Sequence, residues 1–197
     1  MIIKSFEIKK NKSNFLKFNL FLLYGENIGL KKDISKIIKN EICGDNNKTE
    51  IISFFEDEIL SNQEKLFDSA YSSSLFNENK IIIINQATDK LFKQINDIYN
   101  KSPDGTYLIL FSNILEKKSK LRNFFEKEKK VICTPCYLDS DKDLEIILNL
   151  ELKNSNILLS RESINLIIEK SNSDRNNLRN EIEKIKSYAK NKKKNRF

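Results

Sequence analysis

Five short apolar runs, separated by segments of helical periodicity, constrain the fold of this chain more than any other feature. The clearest run is 80–85, where four consecutive isoleucines follow one another. β-branched residues favour a strand, and an unbroken apolar run is typical of a central strand that is buried on both faces. The other runs are 18–24, 50–55, 106–111 and 131–133.

The segments between these runs have apolar residues at helical spacing. We predict helices over Leu30–Ile42, Ile59–Ala70, Asp89–Tyr99 and Glu116–Lys129. Strands that alternate with helices imply right-handed crossovers and a parallel sheet with helices on both faces. The sequence therefore predicts an α/β domain with a five-stranded parallel sheet.

The pattern changes after Tyr137, because no further strand is visible. Three helical periods follow, at about 141–152, 161–170 and 174–190. Ser160 and Ser173 stand where a serine side chain can cap the start of a helix. We expect two domains, an α/β domain over 1–138 and a small three-helix domain over 139–197.

The formal charge of +7 comes from one end of the chain. The chain has 35 Lys and Arg against 28 Asp and Glu, and 184–197 contains seven basic residues and no acidic one. Without those seven, basic and acidic residues are equal in number, at 28 each. Nucleic-acid binding through this basic tail is one alternative that we keep open for the function. The rest of the chain has no net charge and no recognised nucleic-acid-binding motif.

Composition excludes several kinds of chemistry. The chain has no histidine, so a Ser-His-Asp triad and an HExxH zinc site are impossible. Of the three cysteines, Cys133 and Cys136 have CxxC spacing but follow an apolar strand, so we expect structural cysteines and no metal site. No signal peptide and no apolar run of about 20 residues is visible, which predicts a cytoplasmic protein without a membrane segment.

The turn after the first apolar run is similar to a phosphate-binding loop but departs from it. The relevant residues are Gly25, Gly29 and Lys31. In the motif GxxxxGK[ST], backbone amides and a lysine hold the phosphates and a hydroxyl binds magnesium. Here the glycines are one residue too close, Leu30 follows the second glycine, and no Ser or Thr follows Lys31. We predict a loop that keeps its shape without a nucleotide cofactor, while a divergent P-loop ATPase stays open as an alternative.

A second departure occurs at the end of the isoleucine run. An ATPase of this architecture needs an Asp for magnesium and a Glu to orient water, whereas Asn85 and Gln86 stand at these positions. An amide cannot serve as a charged metal ligand or as a general base at neutral pH. The departures at the phosphate loop and at the end of the isoleucine run together predict the fold of a nucleotide hydrolase without its hydrolase activity. We therefore predict no catalytic residues.

Four stretches together resemble one known family. They are FLLYGENIGLKKDI, SSSLFNENKIIIIN, YLILFSNILEKKSKL and SNSDRNNLRNEIEKI, in this order. The chain resembles the delta subunit of the bacterial DNA polymerase III clamp loader, a member of the AAA+ superfamily, from about Phe18 to about Tyr188. The resemblance implies an AAA+-like α/β domain and a helical lid, without a competent nucleotide site.

The resemblance also implies a function and its residues. Delta subunits bind the ring-shaped sliding clamp and hold one of its interfaces open through a Leu-Phe pair, which here is Leu75 and Phe76. Asn113 and Arg175 stand where AAA+ proteins place sensor residues, and without a phosphate we expect Arg175 to form a salt bridge or an interdomain contact. The implied partners are the clamp, other loader subunits and, through the loader, DNA. Family members carry a third, collar domain that assembles the loader, and we expect this chain to lack it.

Overall fold

A computed structural model describes residues 2–3, 16–44, 48–72, 79–155 and 157–194. Contacts divide the chain into two compact units, Met1–Cys136 and Tyr137–Phe197. The domain boundary after residue 138 stays a prediction. Within the described ranges, no helix combines the length and the apolar character that crossing a bilayer requires.

The first unit is built on a parallel sheet of five strands in the order β2-β3-β4-β1-β5, which confirms the predicted α/β class. The strands are β1 (Leu20–Tyr24), β2 (Thr49–Phe55), β3 (Asn79–Asn85), β4 (Thr106–Ser112) and β5 (Val131–Pro135). Strands β1 and β4 are neighbours, but the chain leaves them in opposite directions across the sheet, from β1 toward β2 and from β4 toward β5. In sheets of this type, ligands bind outside the carboxyl ends of the strands at such a point.

Helices cover both faces of the sheet. They are α1 (Ile28–Cys43), α2 (Glu56–Ser61), α3 (Gln63–Tyr71), α4 (Phe92–Lys101, after a 3-10 turn at Asp89–Leu91) and α5 (Lys120–Lys127). Alternate residues of β1 point to opposite faces, as the two-residue period of a strand requires. Phe21 and Leu23 pack in the core that α1 covers, whereas Leu20 and Leu22 pack in the core on the other side, with α3, α4 and α5.

Three local predictions were wrong. The helix expected over Ile59–Ala70 is two helices, because the backbone of Asn62 is extended and its N–H closes α2 on the carbonyl of Glu58. The helix expected from Glu116 begins at Lys120, because Ser119 caps it. Ser173, expected to cap the last helix, is replaced in that role by Asp174, whose Oδ1 accepts hydrogen bonds from Asn176 N at 2.6 Å and Asn177 N at 3.0 Å.

The second unit is a three-helix arrangement, as expected. Its helices are α6 (Asp141–Leu152), α7 (Arg161–Ser171) and α8 (Arg175–Lys194). Ser140 and Ser160 cap α6 and α7 through their side-chain oxygens. The buried side chains of all three helices form one core, which contains Leu144, Leu148, Leu152, Ile167, Ile168, Leu178 and Ile182.

The carboxylate of Asp89 anchors the start of α5 from a distant part of the sequence. It accepts hydrogen bonds from Ser119 Oγ at 2.6 Å, Leu121 N at 3.0 Å and Lys120 N at 3.0 Å. Desolvation alone would raise the pKa of Asp89, but these hydrogen bonds and the nearby charge of Lys120 outweigh it and lower the pKa. The carboxylate therefore satisfies backbone donors that the first turn of a helix cannot pair itself.

Asp89→Asn should lower the free energy of unfolding by about 1 kcal/mol at neutral pH, the usual cost of losing a helix cap. Because the pKa of Asp89 is lowered in the folded protein, its stabilising effect is present above the unfolded-state pKa of about 3.9 and is lost as the pH falls through the folded-state pKa. The difference from the wild type should therefore shrink in acid.

Urea unfolding followed by circular dichroism at a series of pH values measures this difference. Asp104→Asn is the matched control, since Asp104 is an exposed carboxylate in a turn and its loss should cost less than about 0.5 kcal/mol. An equal cost for both variants would contradict the role assigned to Asp89.

Candidate functional site

The loop between β1 and α1 lies at the carboxyl end of the sheet, where the fold predicts a ligand site. Gly25 begins the loop with φ of +126°, a conformation that side chains disfavour. A Cβ atom built on Gly25 would lie 2.2 Å from the backbone oxygen of Cys136. Glycine is therefore required here by close packing against the end of β5, independently of any ligand.

Three backbone N–H groups in and next to this loop donate to acceptors of the protein itself. Gly25 N donates to Asn113 O at 3.2 Å, and Asn27 N donates to Cys136 O at 3.0 Å. The side chain of Asn27 caps α1 by accepting from Leu30 N at 2.8 Å. In a phosphate-binding loop such amides point to the phosphate, whereas these three already have partners within the protein.

Lys31 lies in the first turn of α1, and its ammonium group is turned into the protein. Its Nζ donates to the carbonyl oxygens of Gly25 at 2.8 Å and Ser112 at 2.9 Å, and only 4% of the residue is exposed. Burial lowers the pKa of Lys31, partly offset by the nearby Cys136 thiol. The lysine thus ties the loop after β1 to the end of β4. Gly29, the second glycine of the motif, is buried in the same helical turn.

Asn85 is the last residue of β3 and Gln86 follows it, at the same carboxyl edge of the sheet but separated from the loop by β4. Asn85 donates through Nδ2 to Ser53 Oγ at 3.0 Å and Phe54 O at 3.2 Å, so it joins β3 to the edge strand β2. Gln86 is exposed and has φ of +59°, which turns the chain out of the strand. Neither side chain hydrogen-bonds a charged group in the contacts described for them.

Sequence reasoning missed Glu56, which is a buried carboxylate near this edge. It is 5% exposed and accepts hydrogen bonds from Thr88 N at 2.6 Å and Thr88 Oγ1 at 2.9 Å. The bonds join α2 to the segment after β3. No sequence signal distinguishes Glu56 from the acidic residues that follow it. Over the described ranges, no group of three or more acidic or cysteine side chains is arranged to hold a metal ion.

The two sensor-like residues have different surroundings. Asn113 has an exposed side chain, and its backbone oxygen holds the amide of Gly25. Arg175 belongs to the second unit, where its guanidinium pairs with both carboxylate oxygens of Asp139, with Nε 2.8 Å from Oδ2. Both side chains are largely buried, at 11% and 5% exposure. We expected Arg175 to form a salt bridge or an interdomain contact, and the structure has the salt bridge, with Asp139.

The CxxC cysteines are buried at the end of β5. Both are free, and burial raises the pKa of Cys133 to about 12, so its thiol is protonated and unreactive at neutral pH. The backbone of Cys136 holds the loop, because its N–H donates to Tyr24 O at 2.7 Å and its oxygen accepts from Asn27 N.

Leu75 and Phe76 lie outside the described residues, but both sides of their segment are described. The carbonyls at the end of α3 accept hydrogen bonds from Lys80 Nζ, which contacts Ser69 O at 2.7 Å and Ser72 O at 2.8 Å. Thr106 Oγ1 donates to Ala70 O at 3.2 Å. Side chains of β3 and β4 therefore fix the helix end that precedes the Leu-Phe pair.

The sheet order, the loop and the three-helix unit define an AAA+-like protein, and solved structures share this fold. The Bacillus subtilis DNA clamp loader delta protein (YqeN) matches 94% of this chain with a TM-score of 0.61 and 13% identity. Domain III of the Thermotoga maritima replication initiation protein DnaA matches 96% of this chain and 83% of its own, with a TM-score of 0.58 and 15% identity. The Thermotoga maritima RuvB Holliday junction branch migration motor matches 93% of this chain and 59% of its own, with a TM-score of 0.57 and 12% identity.

The family described as DNA polymerase III, delta subunit, matches residues 21–136, which is more than half of the 197 residues. The chain belongs to this family, which confirms the resemblance found in the sequence. It spans 57% of the length of the Bacillus subtilis protein. The search of curated proteins found no match.

Gly25→Ala should lower the free energy of unfolding by at least about 2 kcal/mol, because the new methyl group would meet the Cys136 backbone and the backbone conformation is unfavourable. Gly44→Ala is the matched control. Gly44 also has a positive φ, of +53°, but open space surrounds its Cβ position, so a cost of about 1 kcal/mol is expected. Thermal or urea unfolding compares the two, and equal costs would show that the contact with Cys136 contributes nothing.

Proposed function

We propose that this protein is a non-catalytic clamp-loader subunit, which binds the DNA sliding clamp and opens or holds open its ring interface during replication. The observation that carries the proposal is the family match over residues 21–136. The likeness to a clamp loader delta protein over 94% of the chain supports it. Binding, rather than a chemical reaction, is the activity of such a subunit.

Leu75 and Phe76 are the proposed contact with the clamp. A large aliphatic and a large aromatic side chain can fill an apolar pocket on a partner, and such buried anchors supply most of the binding energy of many interfaces. The fixed end of α3 supports this assignment, because Lys80 and Thr106 hold the backbone next to the pair. A well-held neighbouring backbone lowers the entropy that a binding segment loses.

The loop after β1 is proposed to be a structural connection and not a nucleotide site. A phosphate would have to displace Lys31 from two carbonyls and the loop amides from Asn113 and Cys136. Each displaced hydrogen bond would leave a buried polar group to be satisfied again. The amides of Asn85 and Gln86 provide no carboxylate for magnesium or for water activation.

The remaining partners follow from the same proposal. Other loader subunits would contact the AAA+-like unit and the collar domain that this chain is expected to lack. DNA would be reached through the assembled loader, and the cytoplasm is the expected location. Two of the tail lysines are already paired, since Lys184 contacts Glu181 at 2.6 Å and Lys186 contacts Glu183 at 2.8 Å. These pairs reduce the positive charge that the described part of the tail offers to DNA.

The double variant Leu75→Ala, Phe76→Ala should weaken clamp binding on the order of 100-fold, because two buried anchors are lost. A pull-down and a titration against the cognate sliding clamp measure the loss, with circular dichroism to show an unchanged fold. The control variant Ile114→Ala, Leu158→Ala removes two exposed apolar side chains, 63% and 98% accessible, and should bind normally. Undiminished binding by the Leu75 and Phe76 variant would refute the assignment.

Titration of the protein with ATP and magnesium should give no saturable heat up to about 1 mM nucleotide, since the loop is internally bonded. Isothermal calorimetry is the measurement. Saturable binding that disappears in Lys31→Ala but persists in the adjacent exposed-lysine variant Lys32→Ala would instead establish a working nucleotide site and revive the ATPase alternative.

A further inference from the structure

Among the residues that the structure describes, no helix covers one face of the edge strand β2. Ile51 and Phe55, which point to the α1 side of the sheet, are 51% and 52% exposed, and Ser53 between them is exposed as well. The sheet is otherwise covered on both faces, as parallel sheets normally are. Within the described part of this unit, this face therefore presents exposed apolar side chains.

This face and α1 enclose an open groove of ≈ 650 Å³. Apolar side chains from three neighbouring strands and a row of lysines from α1 line it. They are Ile51, Ile83, Phe111, Lys32, Lys36 and Lys39. We call this feature the basic groove.

The lysines of the basic groove form a single row. Their spacing of four and three residues places them on one side of α1, next to one another. No Asp or Glu lines the groove, and none of the three lysines has an ion pair with any residue that the structure describes. Other lysines, such as Lys80 and Lys118, do have carboxylate partners. The groove thus has a positively charged rim, formed by the three lysines, and an apolar floor. No carboxylate among the described residues that line the groove neutralises this charge.

We propose that the basic groove binds an acidic, amphipathic helix of a partner protein. Carboxylates of the helix would face the lysine row, and its apolar stripe would cover Ile51, Ile83 and Phe111. This is the usual way in which a helix binds in a groove, with charge complementarity fixing its orientation. From Lys32 to Cys43, α1 rises about 16 Å, which is the length of three helical turns.

The composition of the groove favours a polypeptide over nucleic acid. Binding to a phosphate backbone needs cations but gains nothing from an apolar floor. Protein interfaces, in contrast, combine an apolar centre with a polar rim. The inference goes beyond the proposed clamp contact, because α3, which precedes Leu75, packs on the opposite face of the sheet from α1.

A synthetic probe tests the proposal. The probe is a fluorescent helical peptide of about 14 residues, with three glutamates spaced to meet the lysine row and leucines on the adjoining stripe. Anisotropy titration with the full chain should show saturable binding. The triple variant Lys32→Glu, Lys36→Glu, Lys39→Glu should weaken it at least about tenfold, because attraction becomes repulsion.

The control variant is Lys93→Glu, Lys117→Glu, Lys130→Glu. It changes the net charge equally at three exposed lysines that do not line the groove, and should bind the probe within about twofold of the wild type. Ile51→Ser should also weaken binding, because the apolar stripe of the peptide covers Ile51; unchanged binding would contradict the proposal. The variant Leu75→Ala, Phe76→Ala should bind the probe normally, so failure of the clamp proposal and failure of this one are distinguishable.

Cys43 provides a second readout that locates the probe. It lines the groove and is partly exposed, whereas Cys133 and Cys136 are buried. Saturating peptide should slow alkylation of Cys43 by iodoacetamide, as measured by mass spectrometry of the native protein. Protection confirms that the peptide occupies the groove and not another surface.

Three results would overturn the proposal. One is equal binding of a scrambled peptide that has the same composition but no apolar stripe, since charge alone would then explain the affinity. Another is an equal loss of binding in both lysine variants. The third is stronger protection of Cys43 by a short DNA duplex than by the peptide, which would assign the groove to nucleic acid.

Discussion

The arrangement of the carboxyl edge of the sheet depends on the hydrogen bonds of the Lys31 ammonium group. This group joins the carbonyls of Gly25 and Ser112, and so links the loop after β1 to the end of β4. A buried ammonium needs such partners, because an unpaired charge in the interior is strongly unfavourable. Lys31 stabilises the loop by these bonds, and the backbone N–H groups of Gly25 and Asn27 are likewise bonded within the protein.

The strands could be predicted from the sequence, whereas the contacts at their ends could not. The isoleucine run and the four other apolar runs gave strands within a few residues of those observed, because burial on both faces requires an unbroken apolar segment. The bond that ends α2 is local, from Asn62 N to Glu58 O, whereas the start of α5 also depends on a long-range bond from Ser119 Oγ to Asp89. The cap that Asp89 provides for α5 lies far away in sequence, and no local pattern indicates it.

Part of the candidate site could likewise be found from motifs. The spacing of Gly25, Gly29 and Lys31 indicated a departure from a phosphate loop, but not that Lys31 is buried against carbonyls. The basic groove was invisible in the sequence, since it combines a helix and three strands that only the sheet order brings together. In the sequence, no feature separates the lysines of α1 from other solvent-exposed lysines. The structure places them beside the exposed face of β2.

The support for the end of α3 has an evolutionary consequence. Lys80 and Thr106 bind mainly backbone carbonyls of Ser69, Ala70 and Ser72, and every residue type supplies the same carbonyl. The backbone that precedes the proposed contact residues Leu75 and Phe76 is therefore held by bonds that do not depend on the side chains of Ser69 and Ala70. Under the proposed function, this support would persist while the contact residues change with the partner's surface, which would let the two proteins coevolve.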